Sequence, residues 1–132
     1  MAGEEFRAYF KDEMDVPSGS IIIQEGRPSQ WTFLVLKGQV KVKANTAAGT
    51  VTLETLGEGA VIGEMALLED SLKVVGASVV ADGPVRVAVL DREVVLRDFH
   101  ALSPQLQETL RAVLRRLKEA GDEVKKLAGR PG

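Results

Sequence analysis

The stretch Leu56-Gly57-Glu58-Gly59-Ala60-Val61-Ile62-Gly63-Glu64-Met65-Ala66-Leu67-Leu68 decides how this chain folds. Its second half, residues 63–68, consists of good helix formers behind a glycine, which predicts a single helical turn. A glycine that leads into such a turn leaves backbone N–H groups unpaired, and those groups can hold a phosphate. Glu64 stands beside them and can accept a hydrogen bond from a sugar hydroxyl. Gly63 and Glu64 therefore predict a site for a ribose phosphate.

Short β-branched runs separated by glycine turns surround this stretch and predict strands. The runs are Ile21-Ile22-Ile23, Phe33 to Leu36, Val40 to Val42, Val51 to Leu56, Val74 to Val80 and Val85 to Leu90. Chain reversals are predicted at Glu25-Gly26, Lys37-Gly38, Ala48-Gly49, Gly57-Glu58-Gly59 and Asp82-Gly83-Pro84. Connections this short favour antiparallel pairing, because a parallel crossover needs about a dozen residues. The predicted class is mainly β: an antiparallel sandwich, roll or barrel.

Helical patterns flank the strands, and together they predict one domain over residues 1–132. Phe6, Tyr9, Phe10 and Met14 have helical spacing, so residues 1–15 are predicted to be a short N-terminal helix. Residues 16–92 form the β part, and residues 93–128 form the C-terminal helices. The first of these runs from Glu93 to Phe99, and the second starts where Ser103 caps Pro104. Residues 129–132 are a tail.

The long terminal helix carries an apolar stripe with alternating steps of four and three residues, as in a coiled coil. The stripe contains Leu106, Leu110, Val113, Leu117, Ala120, Val124 and Leu127. Two interpretations stand side by side: the helix packs on its own β-domain, or residues 104–127 form a two-fold dimer helix. A basic cluster on the same helix, Arg111, Arg115, Arg116 and Lys118, is predicted to be its solvent-exposed face.

Composition excludes several function classes. The chain has 17 Lys plus Arg against 19 Asp plus Glu, so it lacks the positive field of a nucleic-acid binder. It has no cysteine, and the lone His100 cannot build a multi-histidine metal centre. No window approaches the roughly 18 apolar residues of a membrane span, which predicts a soluble, cytoplasmic protein. Trp31 and Phe33 alternate on one strand face and are predicted to lie in the core.

Five blocks in fixed order carry a resemblance to a known family. They are Pro17-x-Gly19-x-x-Ile22, Glu25-Gly26, Phe33-x-Val35-x-x-Gly38-x-Val40-x-Val42, Leu56-x-x-Gly59 and Ile62-Gly63-Glu64-Met65-Ala66-Leu67-Leu68. Over roughly residues 15 to 120 the chain resembles the cyclic nucleotide-binding domain family. The resemblance implies an antiparallel β-roll (a double-stranded β-helix or jelly-roll) with a short N-terminal helix, a cassette helix, and C-terminal helices that respond to ligand. It also implies cAMP or cGMP as the ligand.

The resemblance assigns roles within the cassette, residues 63–78. Glu64 would bind the ribose 2′-hydroxyl, and backbone amides around Gly63, Met65 and Ala66 would face the cyclic phosphate. Ser78, preceded by Ala77, stands where the family has a phosphate-contacting Thr or Ser. The position of the family's phosphate-binding arginine holds Val75. Lys73 is the candidate substitute, because residues 73, 75 and 77 point the same way if this segment is a regular strand.

Two functions follow from these residues. The first is a stand-alone, non-enzymatic sensory domain that binds a cyclic nucleotide and transmits the event through its C-terminal helices. The alternative, motivated by Val75, is a degenerate member that acts only as a dimerisation or protein-interaction module. Because the chain ends five residues after Leu127, direct DNA binding is not expected. No nucleophile–base arrangement indicates an enzyme, and the protein partner stays unnamed.

Overall fold

The computed structural model describes residues 4–29, 31–63, 73–74 and 76–128. A 3₁₀ helix, Glu4–Tyr9, opens the chain, and the C-terminal region holds two α-helices, α1 (Arg92–His100) and α2 (Pro104–Ala128). The strands between them are β1 (Phe10–Val16), β2 (Ile21–Ile23), β3 (Pro28–Ser29), β4 (Phe33–Thr46), β5 (Gly49–Leu56), β6 (Val61–Ile62), β7 (Lys73–Val74) and β8 (Ser78–Leu90).

The described strands pair antiparallel throughout, as the short connections predict. Six of them form one sheet in the order β1-β8-β4-β5, with β2 attached to β8 and β6 attached to β4. The short strands β3 and β7 form a second, two-stranded sheet. The prediction of a mainly β, antiparallel fold is confirmed.

Strands β4 and β8 are long, bent and paired along most of their length. The bends occur at Gly38 and Gly83, whose φ angles are +89° and +85°, a region that side-chain-bearing residues avoid. The pairing register of β4 with β8 shifts on both sides of Lys37. The predicted reversals at Lys37-Gly38 and Asp82-Gly83-Pro84 are therefore wrong. A positive-φ glycine serves a bend within a strand as well as it serves a hairpin turn, and here the strands continue.

The inner face of the curled sheet encloses the main core. Its buried residues are Ile23, Phe33, Val35, Val40, Ile62, Val79, Ala81, Val85, Val87 and Val89. A smaller cluster of Leu34, Ala88 and Leu90 lies on the outer face, where Tyr9 and Phe10 pack against it. Full burial of such a side chain stabilises the fold by about 1.5–3 kcal/mol. Phe33 lies in the core as predicted, whereas Trp31 is 50% exposed, so its predicted core position is wrong.

The predicted N-terminal helix over residues 1–15 is also wrong in its second half, which is strand β1. Phe10 and Met14 are four residues apart, and this spacing puts two residues on one side of a strand as well as on one side of a helix. Pairing with β8 decides between the two, since Met14 lies opposite Val87 and Val16 opposite Val85.

Both C-terminal helices begin with a side-chain cap, of which the one at Ser103 was predicted. The Asp91 side chain accepts hydrogen bonds from the first turn of α1, and Ser103 Oγ accepts one from Leu106 N at 3.2 Å. His100 is exposed at the end of α1, next to Phe99. Arg111 is half-buried with its guanidinium 5.1 Å from the Phe99 ring, so its predicted place on the solvent face is wrong. Among the described helices, none is long and apolar enough to cross a membrane.

The apolar stripe of α2 faces solvent. Every member of the stripe is exposed, and Leu117, for example, keeps 52% of its accessible surface. A different face of α2 lies toward the rest of the chain. Its half-buried residues are Gln107, Arg111, Ala112, Leu114, Lys125 and Ala128. The helix therefore does contact strands β4 and β5 of its own domain, but through this face and not through the stripe.

Candidate ligand site

The structure describes part of the predicted cassette. Glu64, Met65, Ala66 and the predicted helical turn after Gly63 lie outside the described residues, as does Val75. Gly63, Ala77 and Ser78 are described, and Lys73 is described through its backbone, which pairs with Ser29 in the β3–β7 sheet. The described part of the site therefore consists of the two ends of the cassette and the residues that contact them.

Gly63 follows β6 and is fixed tightly at the entrance to the cassette. Its φ of +76° is left-handed, and a Cβ at this position would collide with the carbonyl oxygen of Trp31. The Thr32 hydroxyl donates a 2.9 Å hydrogen bond to the Gly63 carbonyl oxygen. Thr32 is only 2% exposed, so this bond satisfies a polar group inside the core. The backbone conformation of Gly63, the first residue of the cassette, is consequently fixed by contacts with residues outside the cassette.

Ser78 fixes the other end of the cassette, where β8 begins. Its Oγ accepts a 2.8 Å hydrogen bond from the backbone N–H of Glu25. The Ser78 O–H proton finds no acceptor among the residues that the structure describes, so it remains able to donate to a ligand. Gly76 and Ala77 form a bend rather than strand. The predicted strand Val74 to Val80 is therefore wrong at residues 76 and 77.

The segment from Ile23 to Glu25 brings these two ends together. Ile23 Cδ1 would lie 3.2 Å from a Cβ on Gly63, and Ile23 also pairs with Val79 of β8. Glu25, two residues later, holds Ser78. The start and the end of the cassette thus both lie next to one short piece of chain, residues 23–25.

Polar contacts around the Glu25 carboxylate join five residues, here named the Glu25 cluster. They are Glu25, Asn45, Gly76, Ser78 and Lys125. The Glu25 carboxylate accepts from Asn45 N at 3.0 Å and pairs with Lys125 Nζ at 3.9 Å. Lys125, near the end of α2, also donates a 2.9 Å hydrogen bond to the Gly76 carbonyl oxygen. The Glu25 side chain is only 16% exposed, and its carboxylate is balanced by a cation that comes from a helix far away in sequence.

Sequence reasoning missed three residues of this arrangement: Glu25, Thr32 and Lys125. The Glu25-Gly26 pair was predicted as a turn and as one block of the family resemblance, without a role for the Glu25 side chain, and residues 25 and 26 do form a turn after β2. A threonine directly before the buried run from Phe33 was a detectable signal of a polar anchor. Nothing in the sequence marked Lys125, because its partner Gly76 is 49 residues away.

Among the residues that the structure describes, no group of three or more His, Asp or Glu side chains could hold a metal ion. The sequence profile of the cyclic nucleotide-binding domain family matches residues 13–100, two thirds of the chain. This chain belongs to the cyclic nucleotide-binding domain family. The structural neighbours below are β-rolls of the same family, so the predicted β-roll is confirmed.

Among curated proteins, the chain is similar to the CRP-like cAMP-activated global transcriptional regulator of Mycobacterium tuberculosis. The two are 28% identical over 113 residues, which cover 84% of this chain and 49% of the regulator. It is also similar to the cAMP-dependent protein kinase regulatory subunit of Aspergillus fumigatus, with 38% identity over 90 residues, 66% of this chain and 21% of the subunit. The chain thus spans half the length of these relatives or less.

Solved structures give the same fold. The cGMP-bound form of the EAL enzyme Bd1971 superposes with a TM-score of 0.72 at 28% identity, covering 86% of this chain and 30% of the enzyme. Its cAMP-bound form superposes with a TM-score of 0.71 at 31% identity, with the same coverage. A cyclic nucleotide-binding domain from Methylobacillus flagellatus has a TM-score of 0.66 at 29% identity, covering 97% of this chain and 72% of that domain.

Proposed function

We propose that this domain binds a purine cyclic nucleotide, cAMP or cGMP, between Gly63 and Ser78 and acts as a non-enzymatic regulatory module. The observation that carries the proposal is the joint anchoring of both cassette ends on residues 23–25. A preset Gly63 backbone and a Ser78 hydroxyl with a spare proton lower the ordering cost of binding a phosphate. In this proposal Glu64 binds the ribose 2′-hydroxyl, and the amides of Met65 and Ala66 join the phosphate cradle.

The response to ligand is proposed to run through α1 and α2. Helix α2 contacts the cassette side directly, because Lys125 bonds to Gly76 and pairs with Glu25. A ligand in the cradle therefore changes the surroundings of the end of α2. Any difference in ligand affinity between two packings of α2 would shift the balance between them.

A second copy of the chain is the proposed partner of the α2 stripe. Six large apolar side chains of this helix are exposed at coiled-coil spacing over residues 104–127, which is the pattern of a two-fold helix pair. Removal of this surface from water supplies the driving force. The domain is proposed to act in the cytoplasm without contacting DNA directly.

A scaffold without ligand is the competing function, and Val75 at the arginine position favours it. Loss of a charge-assisted hydrogen bond weakens binding by roughly ten- to a hundredfold unless another cation replaces it. In that case the domain would act only by dimerisation or by binding another protein.

Calorimetric titration with cAMP and with cGMP separates the two functions. We expect saturable binding of at least one nucleotide. The variant Glu64→Ala is expected to weaken binding by about ten- to a hundredfold, because it removes the carboxylate that accepts from the ribose. The matched control Glu54→Ala removes an exposed carboxylate on β5 and should change affinity less than twofold. Absence of heat and of any melting shift with both nucleotides would establish the scaffold function.

A further inference from the structure

Lys125 of α2 forms an ion pair and a hydrogen bond with residues of the roll. Arg111 and Lys118 pair with Glu108 and Asp122 of the same helix. Lys125 instead reaches the bend at Gly76, where its Nζ lies 2.9 Å from the carbonyl oxygen, and its side chain is one-third exposed. Ordering a long, flexible lysine side chain costs conformational entropy. The contact holds the end of α2 at the cassette, but the stabilisation from one hydrogen bond barely offsets that cost.

The cassette lacks a cation of its own at the aligned arginine position, which holds Val75. Gly76 is the next residue in the chain, and two residues further on stands the Ser78 hydroxyl. The Lys125 ammonium therefore lies against the backbone one residue after the position at which the sequence lacks the family's positive charge. The positive charge that the cassette lacks at position 75 is supplied beside it by Lys125 of α2.

We propose that Lys125 is the phosphate-binding cation of this domain, so that α2 itself completes the ligand site. The proposal rests on the function proposed above and names a residue that contacts the ligand's cyclic phosphate. An ammonium carries three N–H donors, of which the Gly76 carbonyl takes one. Its distance of 3.9 Å to Glu25 is longer than a hydrogen bond, so donors remain for a phosphate oxygen.

The arrangement also explains the half-buried Glu25 carboxylate. Before a ligand binds, the Glu25 carboxylate balances the positive charge of Lys125. The backbone N–H of Glu25 donates to the Ser78 hydroxyl, so Glu25 holds Lys125 near Ser78. An incoming phosphate takes over the role of counter-ion to Lys125. Because the cation comes from α2 and the hydroxyl from β8, phosphate binding joins the helix to the roll.

Calorimetry on the full chain tests this role with four lysine variants and two kinds of ligand. Lys125→Gln removes the charge and is expected to weaken cyclic nucleotide binding by roughly ten- to a hundredfold. Lys125→Arg keeps the charge and should retain binding within about threefold of the wild type. Lys126→Gln is the matched control, since it removes the same charge from the exposed neighbouring residue, and Lys73→Gln tests the other candidate cation.

The second ligand is the nucleoside without phosphate, adenosine or guanosine. If Lys125 contacts the phosphate, the nucleoside binds wild type and Lys125→Gln equally. An equal loss for nucleoside and cyclic nucleotide would mean that Lys125 only holds the helix, and this would overturn the proposal. So would a Lys125→Gln variant that binds like the wild type, or a loss confined to Lys73→Gln. A wild-type chain that binds no cyclic nucleotide would overturn the proposed function, and this inference with it.

Discussion

Gly63 illustrates how contacts outside a proposed binding site can fix the backbone of a residue within it. Its left-handed backbone, the close approach of the Trp31 carbonyl and the hydrogen bond from Thr32 all constrain the same peptide. None of the three constraints involves a ligand. The direction in which the chain enters the cassette is therefore a property of the folded roll, and a ligand does not have to organise it.

Replacement of Gly63 by alanine should expose this constraint. A left-handed backbone costs an alanine about 1–2 kcal/mol, and the clash with Trp31 adds to that cost. Gly59→Ala is the matched control, because Gly59 has a φ of +87° and open space where a Cβ would lie. We expect urea denaturation to show a larger loss of stability for Gly63→Ala than for Gly59→Ala. Equal losses would mean that the close approach to Trp31 has no energetic weight.

At the scale of elements, a hydrogen bond between two side chains joins the N-terminal 3₁₀ helix to α1. The Tyr9 hydroxyl donates to Asp98 Oδ2 at 2.8 Å. This bond is the main cause that lowers the pKa of the Asp98 carboxyl, with a smaller contribution from Arg97, and it raises the pKa of Tyr9. The contact thus stabilises the fold above the ordinary carboxyl pKa, and this stabilisation is lost as the pH falls through the lowered value. On the alkaline side it is lost as Tyr9 ionises.

Tyr9→Phe should therefore raise the pKa of Asp98 toward its ordinary value of about 4. An NMR titration of the Asp98 carboxyl carbon measures the change directly. Arg97→Gln is the control and should raise the same pKa by less, because Arg97 is the smaller cause. The gain in stability that the wild type shows as the pH rises from the lowered pKa of Asp98 to the ordinary carboxyl value of about 4 should shrink in Tyr9→Phe. An Asp98 pKa that is the same in both proteins would contradict this account.

The elements also show what the sequence could and could not predict. Caps at Ser103-Pro104 and the β-branched runs are local signals, and the structure follows them. Strand β1 and the bends at Gly38 and Gly83 depend on pairing with β4 and β8, which local patterns do not contain. A helical spacing that also fits a strand is resolved only when a partner strand is present.

The candidate site divides in the same way. The cassette pattern in the sequence marks Gly63 and Ser78 as candidate site residues, and their role stays a prediction. It does not mark their anchors, since Thr32 and Glu25 act through contacts across 31 and 53 residues. No local sequence pattern indicates a role for Lys125. The residues that complete the site come from elements that only the folded chain brings together.

At the scale of the whole molecule, α2 presents two faces with different roles. Lys125 lies on the face directed at the cassette, and the apolar stripe lies on the exposed face. We expect the chain to dimerise through the stripe, and Leu117→Gln to weaken the dimer about tenfold or more, because each dimer loses two apolar contacts. Sedimentation equilibrium measures the change. Arg116→Gln, an exposed neighbour outside the stripe, should leave the dimer within twofold. A chain that is monomeric at high concentration would contradict the dimer.

The same variant tests whether the two faces of α2 communicate. If ligand binding favours the packing of α2 that dimerises, the dimer must favour ligand by the same factor, because coupling between two equilibria is reciprocal. Leu117 lies two helical turns before Lys125 and on another face, so it contacts no ligand in the proposed site. A weaker affinity of Leu117→Gln for cyclic nucleotide, matched by a ligand-dependent rise in wild-type dimerisation, would therefore arise through the helix. Affinities that are equal in the dimer and in the dissociated variant would leave α2 as a binding element that transmits nothing.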